Sequence, residues 1–136
     1  MSIKLKDLLH KIDWVMIEKS RFGQNNNNNG VYIGFYASKK DSNDINKVKI
    51  KLGRELMERL EWEIGDRICI YHHPDDLMSF MLVKSENSNG FKLGLETNTT
   101  FSKLSFKWDR PLKLERQPYK EVEYLSPKDK YIVFRA

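Results

Sequence analysis

Between Val48 and Tyr71 the apolar residues of this chain change their period twice. Val48, Ile50 and Leu52 alternate with Lys47, Lys49 and Lys51. Leu52, Leu56 and Leu60 then recur every fourth residue, and Ile68 and Ile70 alternate again. A period of two buries one face of a strand, and a period near 3.6 buries one stripe of a helix. The spacing therefore predicts a strand over 45–52, a short helix over 53–60 and a second strand over 67–71, with Gly65-Asp66 as the turn between the last two. So short a helix takes its stability from packing rather than propensity, and Trp62 and Ile64 are expected to close over its end.

The rest of the chain reads as short strands separated by turn clusters. Leu5, Leu8, Leu9 and Ile12 have helical spacing behind Ser2 as a cap, which predicts an opening amphipathic helix that docks on a sheet. Trp14 to Lys19 reads as a strand. The run Asn25 to Asn29 with Gly30 reads as a flexible loop tip over 24–30, because asparagine and glycine tolerate positive φ and carry no apolar surface. Val31 to Tyr36 is expected to pair back on 14–19 as a hairpin.

Segments 67–71, 79–84 and 91–95 look like an antiparallel meander. Further strands are expected at Leu104, Phe106 and Trp108 and from Leu112 to a stop near Pro118, with a final hairpin of 121–125 on 131–134. No composition shift divides the chain, so residues 1–136 are expected to form one domain. It is mainly β (α+β): a single antiparallel barrel-like or sandwich domain with two short helices. At 136 residues it is long enough to bury roughly two-thirds of its unfolded surface.

Leu60-Glu61-Trp62, Gly65-Asp66 and Arg67-Ile68-Cys69-Ile70 resemble the second half of the strand, helix, Gly-Asp, strand core of AbrB/MazE-type swapped-hairpin DNA-binding modules. The resemblance covers residues 48–71. Gly53 stands where that family usually opens its helix with proline, and this chain is much longer than one such module. A tryptophan after the helix followed by Gly-Asp is also similar to small proteins encoded by phages and prophages. The resemblance implies a basic strand that contacts DNA, two chains interleaved as a homodimer, and, for a phage-encoded protein, the host cytoplasm.

Charge is unevenly distributed. Lys39 to Arg54 holds six basic and two acidic residues, and Glu55 to Asp66 holds five acidic and one basic. Such asymmetry permits a polyanion-binding surface. Cys69 is the only cysteine, which excludes an internal disulfide and suits a reducing interior. The N-terminal residues are too charged for a signal peptide, and no segment reaches membrane-spanning length, so a cytoplasmic protein is expected with no membrane partner.

No catalytic constellation or cofactor motif stands out. His72-His73-Pro74-Asp75-Asp76 is the one cluster of metal-type ligands. Adjacent histidines on an extended segment point apart, so the cluster reads as a solvated turn rather than a metal site. Two functional readings remain. In the first, Lys39, Lys40, Lys47, Lys49, Lys51 and Arg54 form a phosphate-contacting strip, with Tyr32 and Tyr36 on an adjacent exposed face where bases stack. A purely structural reading competes with it, since lysine rows also protect exposed strand edges. In the second, Glu55, Glu58, Glu61 and Glu63 form an acidic patch that masks a basic host enzyme or defence complex. Both readings describe a non-enzymatic accessory protein.

Overall fold

The computed structural model describes residues 28–39, 43–96, 101–128 and 131–136. The expected opening helix, the strand at 14–19, residues 24–27 of the expected loop tip and Lys40 lie outside the described residues. Within them the chain forms ten strands and one helix, arranged as two five-stranded antiparallel sheets. The first sheet runs β6 (Gly94–Leu95), β7 (Ser102–Lys107), β2 (Ile45–Leu52), β1 (Val31–Ala37), β8 (Gln117–Val122). The second runs β5 (Phe91–Lys92), β3 (Arg67–His73), β4 (Asp76–Lys84), β10 (Tyr131–Arg135), β9 (Tyr124–Lys128). Among the described residues the sheets do not close into a barrel.

The predicted period change is present. On β2, Val48, Ile50 and Leu52 are fully buried while the lysines between them keep partial exposure. Helix α1 (Arg54–Leu60) buries Leu56, Met57 and Leu60. These side chains join Val31 and Ile33 of β1, Ile68 of β3, Phe80 and Leu82 of β4, and Ile132 and Phe134 of β10 in one core fed by both sheets. Each such side chain contributes roughly 1.5–3 kcal/mol by leaving water.

Helix α1 starts without a side-chain cap. Its first amides are satisfied from elsewhere: the Asn28 carbonyl accepts from Glu55 N–H at 2.8 Å and Leu56 N–H at 3.2 Å, and the Gly30 carbonyl accepts from Gly53 N–H at 3.0 Å. A Cβ on Gly53 would stand 2.1 Å from the Asn28 carbonyl oxygen, so this close backbone approach admits only glycine. Asn29 is tied in as well, its side chain accepting from the Arg59 guanidinium at 2.9 Å and its carbonyl from the Tyr124 hydroxyl. The end of the asparagine run, expected as a free loop tip, is thus the helix cap.

Four further expectations change in the structure. Leu93 divides the expected strand 91–95, so that the chain leaves the second sheet at β5 and enters the first at β6. The Leu93 amide donates to the Asp66 carbonyl and its own carbonyl accepts from Gly65, both at 2.8 Å, so the Gly-Asp turn holds this corner. β5 pairs with β3 rather than β4, and β4 takes β10 on its other side, so no meander forms. The strand expected from Leu112 begins only at Gln117 and includes Pro118. This is allowed because β8 is an edge strand, where a missing N–H can face away from the ladder. Finally, residues 121–122 belong to β8, and the last hairpin is β9 on β10. Both hydrogen-bonding edges of β1 are taken, by β2 and β8.

Candidate nucleic-acid interface

Every second residue of β2 points away from the core, which places Lys47, Lys49 and Lys51 on one outer face. Strand pairing sets what surrounds them. Across β7 their partners are Lys107, Ser105 and Lys103, all exposed. Across β1 they are Tyr36, Gly34 and Tyr32. Lys47 with Lys107, and Lys51 with Lys103, are therefore direct cross-strand neighbours, and such pairs hold their Cβ atoms about 4.5–5.5 Å apart. Among the described residues none of the five lysines forms an ion pair.

The aromatic side of this face is tightly organised. The Tyr36 ring lies back over Gly34, where an added Cβ would meet its Cε2 at 2.6 Å. Its hydroxyl accepts the Tyr119 N–H at 3.1 Å, and its ring meets that of Tyr119 edge to face at 5.9 Å. Lys49 Nζ stands 4.7 Å from the Tyr36 centroid. Lys51 Nζ lies within a cage of three rings, 4.6 Å from Tyr119 and 4.9 Å from both Tyr32 and Phe101. The Tyr119 hydroxyl donates to Glu96 at 3.1 Å. Burial, and then the Glu96 carboxylate, push the Tyr119 phenol well above its ordinary value. Burial also raises Tyr36, against the lowering effect of the hydrogen bond from the Tyr119 backbone. Both phenols are neutral at physiological pH.

The residues expected in the basic strip therefore separate. Lys47, Lys49 and Lys51 form its centre. Tyr32 is on the expected face but is only 4 % exposed, with Phe101 edge-on at 5.6 Å and Lys51 above it, so it presents no free ring to a base. Tyr36 is partly exposed. Lys39 is exposed beyond the end of β1. Arg54 lies on α1 and pairs with Glu58 at 3.6 Å. Lys103, Lys107, Phe101 and Tyr119 are the members the sequence reading missed. The alternation of Lys103, Ser105 and Lys107 with Leu104 and Phe106 was available as a signal, but nothing local says that β7 pairs with β2.

Glu55, Glu58, Glu61 and Glu63 are all exposed, along α1 and the turn after it. Glu61 ends the helix in the left-handed region at φ 58°, and the Glu63 amide donates to the Asp66 carboxylate at 2.8 Å. At the end of β3 His72 Nδ1 lies 3.0 Å from the His73 carbonyl, and His73 Nδ1 accepts the N–H of Asp75 in the turn at 3.0 Å. Asp76 is held by Ser79 at 2.8 Å and Arg135 at 3.0 Å. Among the described residues no helix is long and apolar enough to cross a membrane. Comparison with protein-family models, curated proteins and solved structures finds no match for this chain.

Proposed function

We propose that this protein binds nucleic acid through the outer face of its first sheet, with Lys47, Lys49, Lys103 and Lys107 contacting phosphates and Tyr36 and Tyr119 flanking them. One observation carries the reading: like charges stand directly opposite each other across the β2–β7 pair. Such pairs destabilise a sheet. The competing explanation, edge protection, requires an edge; it suits Lys107, beyond the two residues of β7 that β6 covers, but not Lys47, Lys49 or Lys51, since β2 is the central strand of its sheet. A polyanion relieves the repulsion and gains from the release of its counterions. The role proposed is that of a binding module.

The finer fold reading is a two-sheet sandwich around the AbrB-like unit β2–α1–β3. β2 completes its hydrogen bonding within one chain, between β1 and β7, while β5 pairs with β3 only at Arg67 and Ile68. A homodimer would accordingly associate through faces or through the edge strands β6, β8, β5 and β9, and the mass in solution tests that.

Fluorescence anisotropy with labelled single- and double-stranded oligonucleotides tests the function. Four phosphate contacts predict that log K falls with log salt at a slope of roughly −2.8 for single strands and −3.6 for duplex. Replacing Lys47, Lys49, Lys103 and Lys107 by glutamate should remove binding, and unchanged affinity in that variant would sink the reading.

A second reading has its own observation. Trp62 is buried as expected, but Ile64, expected to close over the helix end with it, is 52 % exposed between Glu63 and the Gly-Asp turn, in the acidic segment that follows Glu55 and Glu58 of α1. An exposed aliphatic side chain within an acidic patch fits a basic protein partner. Capture of a host protein that is lost with Ile64→Asp, while oligonucleotide binding is absent, would favour it.

A further inference from the structure

At one end of the lysine face a cleft of about 270 Å³ opens between the two sheets. Its walls include five rings, those of His72, Phe80, Phe91, Phe106 and Trp108. They form a chain of contacts: Phe91 to Phe106 at 5.8 Å, Phe106 to Phe80 at 6.1 Å, Phe80 to Trp108 at 6.3 Å and Trp108 to His72 at 6.5 Å. Phe80 and Trp108 are buried core residues, but Phe91 is 42 % exposed on a strand of only two residues. A large ring left half in water at a sheet edge adds little to the core.

The polar part of the wall is Lys107, Asp109 and Arg110. Arg110 and Asp109 are 3.8 Å apart and both largely solvated, so the guanidinium stays available. A second cleft of about 400 Å³ adjoins the first, sharing Lys107, Trp108 and Arg110 and adding Lys113 and Asp44. The Trp108 indole N–H donates to the Leu112 carbonyl at 2.7 Å, which fixes the loop that carries Arg110 and Lys113. Lys107 is also the cross-strand partner of Lys47, so the clefts continue the proposed phosphate track.

We infer that these joined clefts hold one nucleotide of a single-stranded nucleic acid, the base stacked on the exposed Phe91 and the half-buried Phe106 above the buried Trp108, and its phosphate among Lys107, Arg110 and Lys113. An aromatic wall beside a cationic one is the chemistry of a planar ring carrying an anion, and every base has a face that can stack. This inference rests on the nucleic-acid reading of the lysine face and adds a preference for single strands.

The test uses the full chain, a twelve-nucleotide oligothymidylate, a duplex of the same length and thymidine monophosphate. The expected result is a shift of the Trp108 indole N–H resonance on adding the monophosphate. Phe91→Ala should also weaken oligothymidylate binding by about 5- to 150-fold, the range for losing one stacked base, and leave duplex binding unchanged. Arg110→Gln should weaken the monophosphate shift and so covers the case in which Phe91→Ala fails to fold. Salt-sensitive oligonucleotide binding that neither variant alters, with no Trp108 shift, would overturn the cleft and leave the lysine face standing. A Trp108 shift without salt-sensitive binding would support the cleft and overturn the lysine face. No interaction with any probe would overturn both.

Discussion

The backbone of Asn28 lies against Gly53 so closely that a Cβ there would stand 2.1 Å from the Asn28 carbonyl oxygen, the same oxygen that accepts from the first amides of α1. Gly53→Ala is expected to cost about 2–4 kcal/mol, because either the helix start or the 28–30 segment must move and two amides lose their acceptor. Urea denaturation measures this. A change below about 0.5 kcal/mol, the range of an ordinary surface substitution, would show that the contact can be relieved freely.

Lys47 and Lys107 should behave in opposite ways for stability and for binding. Replacing both by glutamine removes a like-charge cross-strand pair and should leave the fold as stable or a few tenths of a kcal/mol more so. The same double variant should flatten the salt dependence of nucleic-acid binding by roughly 1.4–1.8 in slope. Loss of stability together with an unchanged slope would assign these lysines a structural role.

Lys51 belongs to the same row but differs in kind, since three rings surround its ammonium group. Lys51→Gln is expected to cost about 1–2 kcal/mol, while Lys103→Gln, at the exposed position directly opposite, should cost nothing measurable. Thermal melts of the two variants side by side decide the point.

The Tyr119 and Tyr36 phenols are both raised above 10.0 in the folded protein. The folded state therefore keeps protons that the unfolded state releases near pH 10, and stability falls as pH rises from there. That contribution is complete below pH 10 and lost progressively above it. Melts between pH 8 and 11.5 should show the decline in the native chain and a shallower one in a Tyr36→Phe, Tyr119→Phe double variant; parallel curves would assign the decline to other groups.

The Trp62 indole N–H is buried with no hydrogen-bond partner among the described residues. An unsatisfied buried donor costs about 1–3 kcal/mol, so Trp62→Phe should recover much of what its smaller ring loses in packing and stay within about 1 kcal/mol of the native chain. Trp62→Ala, which removes the same donor but far more packed volume, should cost about 3–5 kcal/mol.

The elements written into local periodicity were legible from the chain alone. β2, α1, the Gly-Asp turn and β3 follow from apolar spacing because a strand or helix needs one continuous apolar face, and that spacing is a property of neighbouring residues. The lysine row was legible for the same reason, as the other face of β2. What the row means was not, because the partner of a strand edge is chosen by residues far away in sequence. Only the tertiary pairing made β2 central, set Lys103 and Lys107 against Lys51 and Lys47, and buried Tyr32 under Phe101. It also turned Asn28 into a helix cap and allowed Pro118 into a strand by leaving that strand at an edge. Sequence determined which faces are apolar and which are charged; the register between strands decided which charges meet.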